Sequence, residues 1–375
     1  MTEIECVVVG LGGAGSAAAY HVARSGGRVL GLEQFGPVHG HGSSHGRTRI
    51  YRTAYMEGAR YVPLCLRAQE LWRQLELDSG ESVLRPTGGL VIGRRTNSFA
   101  SESLRTAIEC RLPHEVLDPW QVERRFPQFA LAPDEMAVFD PNAGALFPET
   151  CVRAHASGAV EAGAELRYGT RVKEWSADAS GVTVRTESAE LRARTLVLTV
   201  GAWTSRFDGG LALPLEIERQ FMLWFRARNA ALVGPHRMPV FVWDRGEEAR
   251  TYGVPDFGDG VKVGAWNGKV AASPEEADRE YRESDGAPIR AFVEQRLRGV
   301  EPHEIAHVAC LYTNTPDRDF VIGVHPRHPN VIVVSACSGH GFKFTSVIGE
   351  IVARLAQHEA PGFDLTPFAP DRFQR

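Results

Sequence analysis

A glycine-rich turn between a short apolar strand and a small-residue helix constrains this chain more than any other feature. Residues 4–9, IECVVV, are typical of a buried parallel strand, and SAAAYHVARSG after the turn is typical of a helix that ends before Gly26. The intervening GLGGAG fits G-x-G-x-x-G. In that motif Gly10 permits the tight turn, Gly12 lets the backbone approach a pyrophosphate, and Gly15 lets helix and strand pack closely. The pattern predicts a βαβ nucleotide-binding unit.

An acidic residue completes this unit. Residues 28–33, RVLGLE, are predicted to form the second strand, which ends at Glu33. A carboxylate at this position accepts hydrogen bonds from ribose hydroxyls and repels a 2′-phosphate. A glycine-rich turn that binds no nucleotide is the alternative, and the motif alone does not separate FAD from NAD.

A second glycine-rich segment, near the other end of the chain, favours a flavin. Gly339 and Gly341 lie in SGHGFK, which follows the apolar run NVIVV and precedes a helical pattern. Two strand–glycine–helix sites suit an extended FAD, which uses one for its pyrophosphate and the other near its isoalloxazine end. A simple NAD dehydrogenase rarely needs the second site. We therefore predict FAD as the cofactor.

The middle of the chain indicates a second domain of a different kind. From about residue 214 to 313, runs such as QFMLWFRA, PVFVWD and VKVGAW alternate as antiparallel strands do, and a charged helix is predicted over 274–298. We predict a doubly wound, Rossmann-like α/β FAD-binding domain interleaved with an antiparallel-sheet α+β substrate domain. The FAD-binding segments are predicted as 1–82, 148–213 and 318–375, and the substrate-domain segments as 83–147 and 214–317.

Composition and charge exclude several classes of function. A net charge of −4 over 375 residues offers no basic surface for nucleic acid. The apolar runs are short and broken by charge or glycine, so we expect no membrane span, and the acidic start is unlike a signal peptide. Six cysteines without CxxC spacing indicate a reduced, cytoplasmic protein with no disulfide framework and no metal site. Four residues are lysine, so each lysine is a candidate for a specific role.

Four motifs give the chain a resemblance to a known family. They are GLGGAGS at 10–16, HGSSHGRTRIYRTAY at 41–55, ACLYTNTPDRDFVIG at 309–323 and SGHGFKF at 338–344. With them the chain resembles the monomeric sarcosine oxidase family, which includes N-methyltryptophan oxidase and pipecolate oxidase. The motifs run from end to end, and the last three are specific. The family's FAD domain and antiparallel-sheet substrate domain agree with the organisation predicted above.

The resemblance implies a reaction and a covalent cofactor. Family members oxidise a secondary amine of an amino acid, reduce FAD and return the electrons to O2 as hydrogen peroxide. Their FAD is attached through its 8α-methyl group to a cysteine, which Cys310 matches here. The thiolate is the nucleophile in such a bond, and a neighbouring positive charge would favour it. A buried structural cysteine is the alternative.

The same resemblance implies which side chains contact the substrate. Arg52 and Lys343 match the residues that bind the substrate carboxylate, for which an arginine fork and a lysine point charge are well suited. Tyr252 and Tyr312 are candidate site tyrosines that hydrogen-bond the substrate or shape the pocket. The alternatives are a surface ion pair for Arg52 and plain packing for the two tyrosines.

The resemblance also assigns residues to the flavin and to oxygen. Lys262 matches the lysine that promotes flavin reoxidation, since a fixed positive charge stabilises developing superoxide. An unpaired buried ammonium is costly, so we expect a water to link it to the flavin; a solvent-facing strand lysine is the alternative. His45, Thr48 and Arg49 follow the family's flavin loop. We expect Arg49 to neutralise charge on the reduced ring, with His45 and Thr48 supporting FAD.

One position departs from the family. Trp266 stands where sarcosine oxidases usually carry a histidine, and Ala265 precedes it in place of a tyrosine. The pocket wall is therefore changed, which puts sarcosine itself in doubt. Related oxidases that make cyclic imines in antibiotic pathways become candidates.

Together these features predict a monomeric FAD-dependent amine oxidase that acts on the CH–NH group of a secondary or cyclic amino acid. Its partners are the small-molecule substrate and O2, and its products are the imine and hydrogen peroxide. A flavin monooxygenase would share the first motif, but the motif around Cys310 argues against it. A flavin-binding partner subunit without its own turnover is the other alternative, which the presence of Arg52, Lys262 and Lys343 disfavours.

Overall fold

Strands dominate the computed structural model, which describes residues 4–246 and 250–374. In chain order the strands are β1 (Ile4–Val9), β2 (Val29–Leu32), β3 (Arg49–Tyr51), β4 (Leu84–Pro86), β5 (Gly89–Arg94), β6 (Glu115–Leu117), β7 (Glu135–Asp140), β8 (Gly144–Leu146), β9 (Glu165–Arg167), β10 (Val172–Asp178), β11 (Gly181–Thr186), β12 (Glu190–Leu198), β13 (Glu216–Ala227), β14 (Val240–Asp244), β15 (Arg250–Val254), β16 (Val261–Ala265), β17 (Lys269–Ala271), β18 (Val300–Asn314), β19 (Val321–His325) and β20 (His328–Ser335). The helices are α1 (Gly13–Arg24), α2 (Val62–Ser79), α3 (Phe99–Glu109), α4 (Pro119–Arg125), α5 (Pro148–Glu161), α6 (Thr204–Phe207), α7 (Ala230–Val233), α8 (Glu283–Arg296) and α9 (Thr345–Ala356).

A largely parallel sheet forms the nucleotide-binding part of the molecule. Its strand order is β10-β11-β12-β1-β2-β9, with β20 paired to β12 and β19 beyond it. The central strand β1 runs parallel to both β12 and β2. Its Val7 and Val8 are fully buried because helices α1, α2, α5 and α9 cover one face and apolar side chains of β10 and β11 contribute to the other. The predicted Rossmann-like α/β domain is confirmed.

A second, mostly antiparallel sheet carries the other half of the fold. Its strand order is β17-β13-β16-β15-β14-β5-β7-β6, and β18 pairs along the length of β13. Helix α8 packs on this sheet through Ile289, Phe292 and Val293, which are fully buried. A small third sheet, β3-β8-β4, joins residues from the predicted FAD-binding and substrate segments. The antiparallel second sheet is confirmed, whereas the domain boundaries stay a prediction.

The predicted helix over 274–298 is wrong in its first part, because α8 begins only at Glu283. The residues before it make contacts that a continuous helix would not allow. Glu275 accepts hydrogen bonds from Trp203 and Arg206, while Arg279 donates to the carbonyl of His41. These charged side chains cross to the nucleotide-binding half and fasten the two halves together.

The described part of the chain contains neither a membrane-spanning helix nor a metal-binding cluster of side chains. None of its helices is both long and apolar enough to span a bilayer. It also contains no group of three or more His, Cys, Asp or Glu side chains that could hold a metal ion.

Candidate active site

A cavity of about 560 Å³ runs from the first glycine turn to the face of the antiparallel sheet. It lies between the carboxyl ends of the parallel strands and the second sheet, the usual location for a ligand in an open α/β fold. The predicted site residues that line it are Gly10, Gly12, Glu33, Thr48, Arg49, Arg52, Tyr252, Lys262, Trp266, Cys310, Tyr312, Gly339, Gly341 and Lys343. The structure thus brings together the four motifs that lie far apart in the chain.

The nucleotide end of the cavity has the features that a dinucleotide requires. A Cβ at Gly15 would lie 1.7 Å from the carbonyl oxygen of Gly10, so strand and helix can approach only because both residues are glycine. Glu33 accepts hydrogen bonds from the backbone N–H groups of Leu11 and Phe35 at 2.9 and 3.0 Å. Burial works against its charge, but hydrogen bonds from His39 and these two N–H groups outweigh it and lower the pKa of Glu33. Its carboxylate therefore stays ionised at the nucleotide end of the cavity.

Two unpaired polar atoms lie at the other end of the cavity. The hydroxyl of Thr48 and the Nε of Arg52 are buried without a hydrogen-bond partner in the protein. Both residues line the cavity. Buried polar groups are normally paired, so these atoms suit polar groups of a ligand. With the glycine cradle and Glu33 they fit FAD, held by Gly10, Gly12 and Glu33 at its nucleotide end.

The predicted flavin loop, which carries His45, Thr48 and Arg49, is held together by hydrogen bonds to its own carbonyl groups. Arg49 donates to the carbonyls of Ser43 and Thr48 at 2.7 and 2.8 Å, which fixes its guanidinium at the cavity wall. His45 does not line the cavity and lies 3.1 Å from the carbonyl of Gly42 through its Nε2. Burial and the charge of Arg49 lower the pKa of His45 to about 3, so this imidazole is neutral and braces the loop.

The thiol of Cys310 lies beside a positive charge, as expected. It projects from β18, with its Sγ 3.6 Å from Nη2 of Arg49. Burial raises the pKa of this thiol, and the neighbouring charges of Arg49 and Lys262 offset only part of that rise. The protonated thiol therefore predominates, and a thiolate forms as a minor species.

Lys262 is almost completely buried, with 2% of its surface exposed. We expected a water to link its ammonium to the flavin; in the protein, its Nζ donates to the backbone carbonyls of Gly46 at 2.9 Å and Thr48 at 2.6 Å. The pairing to protein carbonyls removes the need for water to solvate the charge. Burial and the nearby Arg49 nevertheless hold the pKa of Lys262 well below its usual value. The alternative of a solvent-facing strand lysine is excluded.

Arg52 is buried and already holds a carboxylate of the protein. Its Nη2 donates to both carboxylate oxygens of Glu57 at 2.9 Å, and its guanidinium lies over the ring of Tyr55. The alternative of a surface ion pair is therefore wrong, since only 5% of the Arg52 surface is exposed. Sequence reasoning missed Glu57, which follows Arg52 by five residues and lies just beyond the motif that ends at Tyr55.

Lys343 lies on the same wall as Arg52. Its Nζ donates to the hydroxyl of Tyr55 at 3.1 Å and to the carbonyl of His340 at 2.6 Å. Burial and the charge of Arg52 lower the pKa of Lys343 to about 7. An incoming carboxylate would favour its protonated form. Arg52 and Lys343 therefore place two cationic side chains in one corner of the cavity.

Aromatic side chains form another part of the cavity wall. Tyr252 and Trp266 meet edge to face with ring centroids 5.2 Å apart. Burial raises the pKa of both Tyr252 and Tyr312, so both phenols are neutral donors. A Cβ at Gly339 would lie 2.9 Å from the ring of Tyr312 and 3.4 Å from Nε1 of Trp266. The second glycine motif thus leaves room for these rings.

Comparisons with known proteins agree with this geometry. A family model described as FAD dependent oxidoreductase matches residues 5–355. The chain is similar to monomeric sarcosine oxidase of Streptomyces avermitilis, with 40% identity over 98% of this chain and 97% of that protein. It is also similar to N-methyl-L-tryptophan oxidase of Citrobacter koseri, with 34% identity over 99% of each chain.

Solved structures lead to the same family. NikD, described as an unusual amino acid oxidase essential for nikkomycin biosynthesis, has a TM-score of 0.86 at 26% identity, with 98% of both chains covered. Glycine oxidase from Geobacillus kaustophilus shares the fold, with a TM-score of 0.83 at 21% identity over 99% of both chains. The match of the family model and the identity to curated relatives extend over nearly the whole chain. This chain therefore belongs to the FAD-dependent oxidoreductases and, within them, to the family of amino acid oxidases.

Proposed function

We propose that this enzyme oxidises the C–N bond of a secondary or cyclic amino acid to the imine and reduces O2 to hydrogen peroxide. The observation that supports this most directly is the anion-binding corner of Arg52 and Lys343, which shares one cavity with Cys310 and Lys262. Such a corner selects a carboxylate, and the uncharged aromatic part of the same cavity wall suits the apolar part of an amino acid. The names of the relatives, which are oxidases of sarcosine and N-methyltryptophan, agree with that substrate class.

The protein's own residues have separate roles in the proposed reaction. FAD, when bound, supplies the two-electron acceptor. Arg52 exchanges Glu57 for the substrate carboxylate, and Lys343 adds a second positive charge. The aromatic wall keeps water away and favours the neutral amine, whose lone pair the oxidation requires. Lys262 stabilises the negative charge that develops on oxygen, which is electrostatic preorganisation of the usual kind.

We further propose that FAD is attached covalently at Cys310. A bond between Sγ and the 8α carbon replaces the S–H and one C–H bond; two protons leave, and the two electrons pass to O2. Arg49, 3.6 Å from Sγ, stabilises the thiolate that forms this bond. We also propose that the enzyme is a cytoplasmic monomer, in keeping with the relatives named monomeric sarcosine oxidase.

An O2-uptake screen of the purified protein tests the reaction. The substrates are sarcosine, other N-methyl amino acids, L-proline, L-pipecolate and unsaturated cyclic amines. We expect one peroxide for each imine, and no oxygen atom in the organic product. Oxygen in the product would support a monooxygenase. A lack of O2 uptake with every substrate would support the partner-subunit alternative.

A more specific candidate is an oxidase of a secondary-metabolite pathway, such as an antibiotic pathway, that makes an unsaturated cyclic imine or aromatic product. Trp266 favours it, because an indole in place of the family histidine enlarges the flat aromatic surface beside Tyr252. The similarity to NikD agrees with this candidate. A rate with cyclic amino acids that far exceeds the sarcosine rate would support it.

A further inference from the structure

A single peptide group lies between Glu149 and the buried Lys262. The N–H of Arg47 donates to Oε1 of Glu149 at 2.9 Å. The carbonyl of Gly46, in the same peptide group, accepts from Nζ of Lys262 at 2.9 Å. In a trans peptide the N–H and C=O point in opposite directions, so the carboxylate and the ammonium face the two ends of one dipole. Each charge faces the end of opposite sign.

Glu149 also fixes the shape of the loop that carries this peptide. Its Oε1 accepts a second hydrogen bond, from the N–H of Gly46 at 2.7 Å. Gly46 and Arg47 both have left-handed backbone angles, with φ of 92° and 66°, a conformation that a non-glycine residue such as Arg47 rarely adopts. Two successive N–H groups converge on one carboxylate in such a turn. Glu149 therefore orients the carbonyl that receives Lys262.

The charges around Lys262 make this carboxylate important. The strongest electrostatic influences on the ammonium are Arg49 and Arg47, which oppose its charge, and the thiol of Cys310 and Glu149, which favour it. Burial adds to the opposition and lowers the pKa of Lys262. Glu149 also favours the charge of Arg49. One carboxylate thus supports two buried cations, Arg49 of the flavin loop and Lys262 of β16.

We propose that Glu149 is the counter-ion and positioning residue of Lys262, acting across the Gly46–Arg47 peptide to keep the ammonium protonated and directed at the cavity. The functional consequence rests on the proposed role of Lys262 with O2. The electrostatic link between the two residues does not depend on that role and can be measured by itself.

The scarcity of lysine allows a direct measurement. The chain has four lysines, so lysine labelled with carbon-13 at Cε gives an NMR spectrum of the FAD-loaded protein in which Lys262→Met identifies one signal. We expect the Lys262 signal of Glu149→Gln to titrate about one pH unit lower than in the wild type, because a nearby opposite charge is lost. Glu149→Asp keeps the charge and should restore most of that difference. Identical Lys262 titrations in the wild type and Glu149→Gln would overturn the proposal.

A matched variant tests whether the loss of any carboxylate that binds two backbone N–H groups shifts the Lys262 signal. Glu76 likewise accepts two successive backbone N–H groups, from Val83 and Leu84, both at 2.9 Å. Glu76→Gln should leave the Lys262 signal unchanged; an equal shift in this variant would show that the effect is general and would also overturn the proposal.

Kinetics test whether the interaction of Glu149 with Lys262 affects the reaction with O2. The pH above which reoxidation of the reduced enzyme slows should be about one unit lower in Glu149→Gln than in the wild type. The rate of reduction by substrate should change little. Adding Glu149→Gln to Lys262→Met should produce no further loss of reoxidation rate. If Lys262→Met itself reoxidises normally, the proposed oxygen role fails, and the NMR titration still decides whether Glu149 controls Lys262.

Discussion

Replacing Lys262 by methionine separates the oxygen reaction from the stability of the protein. Methionine has a similar length and can keep the contact with the ring of Trp224, over which Nζ lies at 5.6 Å. Neither carbonyl that Lys262 contacts is left unpaired. The Gly46 carbonyl also accepts from the N–H of Thr48 at 2.7 Å, and the Thr48 carbonyl also accepts from Arg49 at 2.8 Å. The free energy of unfolding should therefore change by no more than about 1 kcal/mol.

The oxygen reaction should respond much more strongly. Removing a preorganised charge from a water-excluded site costs roughly 3–4 kcal/mol of transition-state stabilisation, which is about two to three decades in rate. Stopped-flow absorbance should show a flavin that substrate reduces at nearly the wild-type rate but that O2 restores slowly. Lys269→Met is the matched control, because Lys269 lies on the neighbouring part of the sheet, is exposed, and pairs with Asp285 at 3.0 Å. Reoxidation of Lys262→Met at the wild-type rate would refute the reasoning and direct attention to Arg49.

Four other predictions follow from the site and the core. Acid-precipitated wild-type protein should stay yellow, whereas Cys310→Ser should release its FAD into the supernatant; a yellow Cys310→Ser precipitate would contradict attachment at this thiol. The wild type should oxidise sarcosine more slowly than L-pipecolate, and Trp266→His should narrow the difference; equal wild-type rates would refute this role of the indole. Burial and Arg52 lower the pKa of Lys343 to about 7, and a bound carboxylate favours the charged form of this lysine. KM should therefore be lowest below pH 7 and rise by up to about tenfold per pH unit above it. A KM independent of pH would contradict this. Burial lowers the pKa of His21 from 6.5 to about 4, so the unfolded chain takes up the proton first as pH falls. Roughly 3 kcal/mol of stability should therefore be lost between pH 6.5 and pH 4. In urea unfolding, the free energy of unfolding of His21→Gln should lack this dependence on pH.

Local motifs made the nucleotide half predictable. The G-x-G-x-x-G turn, its strands and Glu33 are close in sequence, and Gly10 and Gly15 are required by contacts with each other or with Thr199, which follows β12. The tail segment around Gly339 was predictable for the same reason. Cys310 and Lys262 were identified by resemblance, and alternating apolar residues predicted the sheet that carries them. The register that brings both to the same wall, however, is a property of the pairing of β13 with β16 and β18.

Contacts between distant segments were not predictable from the sequence. The stretch before Glu283 carries enough charge for a surface helix, but Glu275 and Arg279 bond to residues of the nucleotide-binding half. Similarly, nothing in the sequence around Glu149 marks it as a partner of a loop more than one hundred residues away. Such contacts are satisfied only after the two sheets meet, so propensity and periodicity carry no signal for them.

In the proposed reaction, two carboxylates that contact residues of the cavity wall explain how one site would serve two different anions. Arg52 and Lys343 share Glu57, which contacts the Arg52 guanidinium directly. Arg49 and Lys262 share Glu149, which acts from behind the flavin loop. A direct partner can be exchanged for a substrate carboxylate, whereas a partner behind a peptide group leaves the cavity face of the cation free. In the proposed reaction, Glu57 offsets positive charge in the substrate corner until an anion replaces it, whereas Glu149 leaves the cavity face of Lys262 open to oxygen.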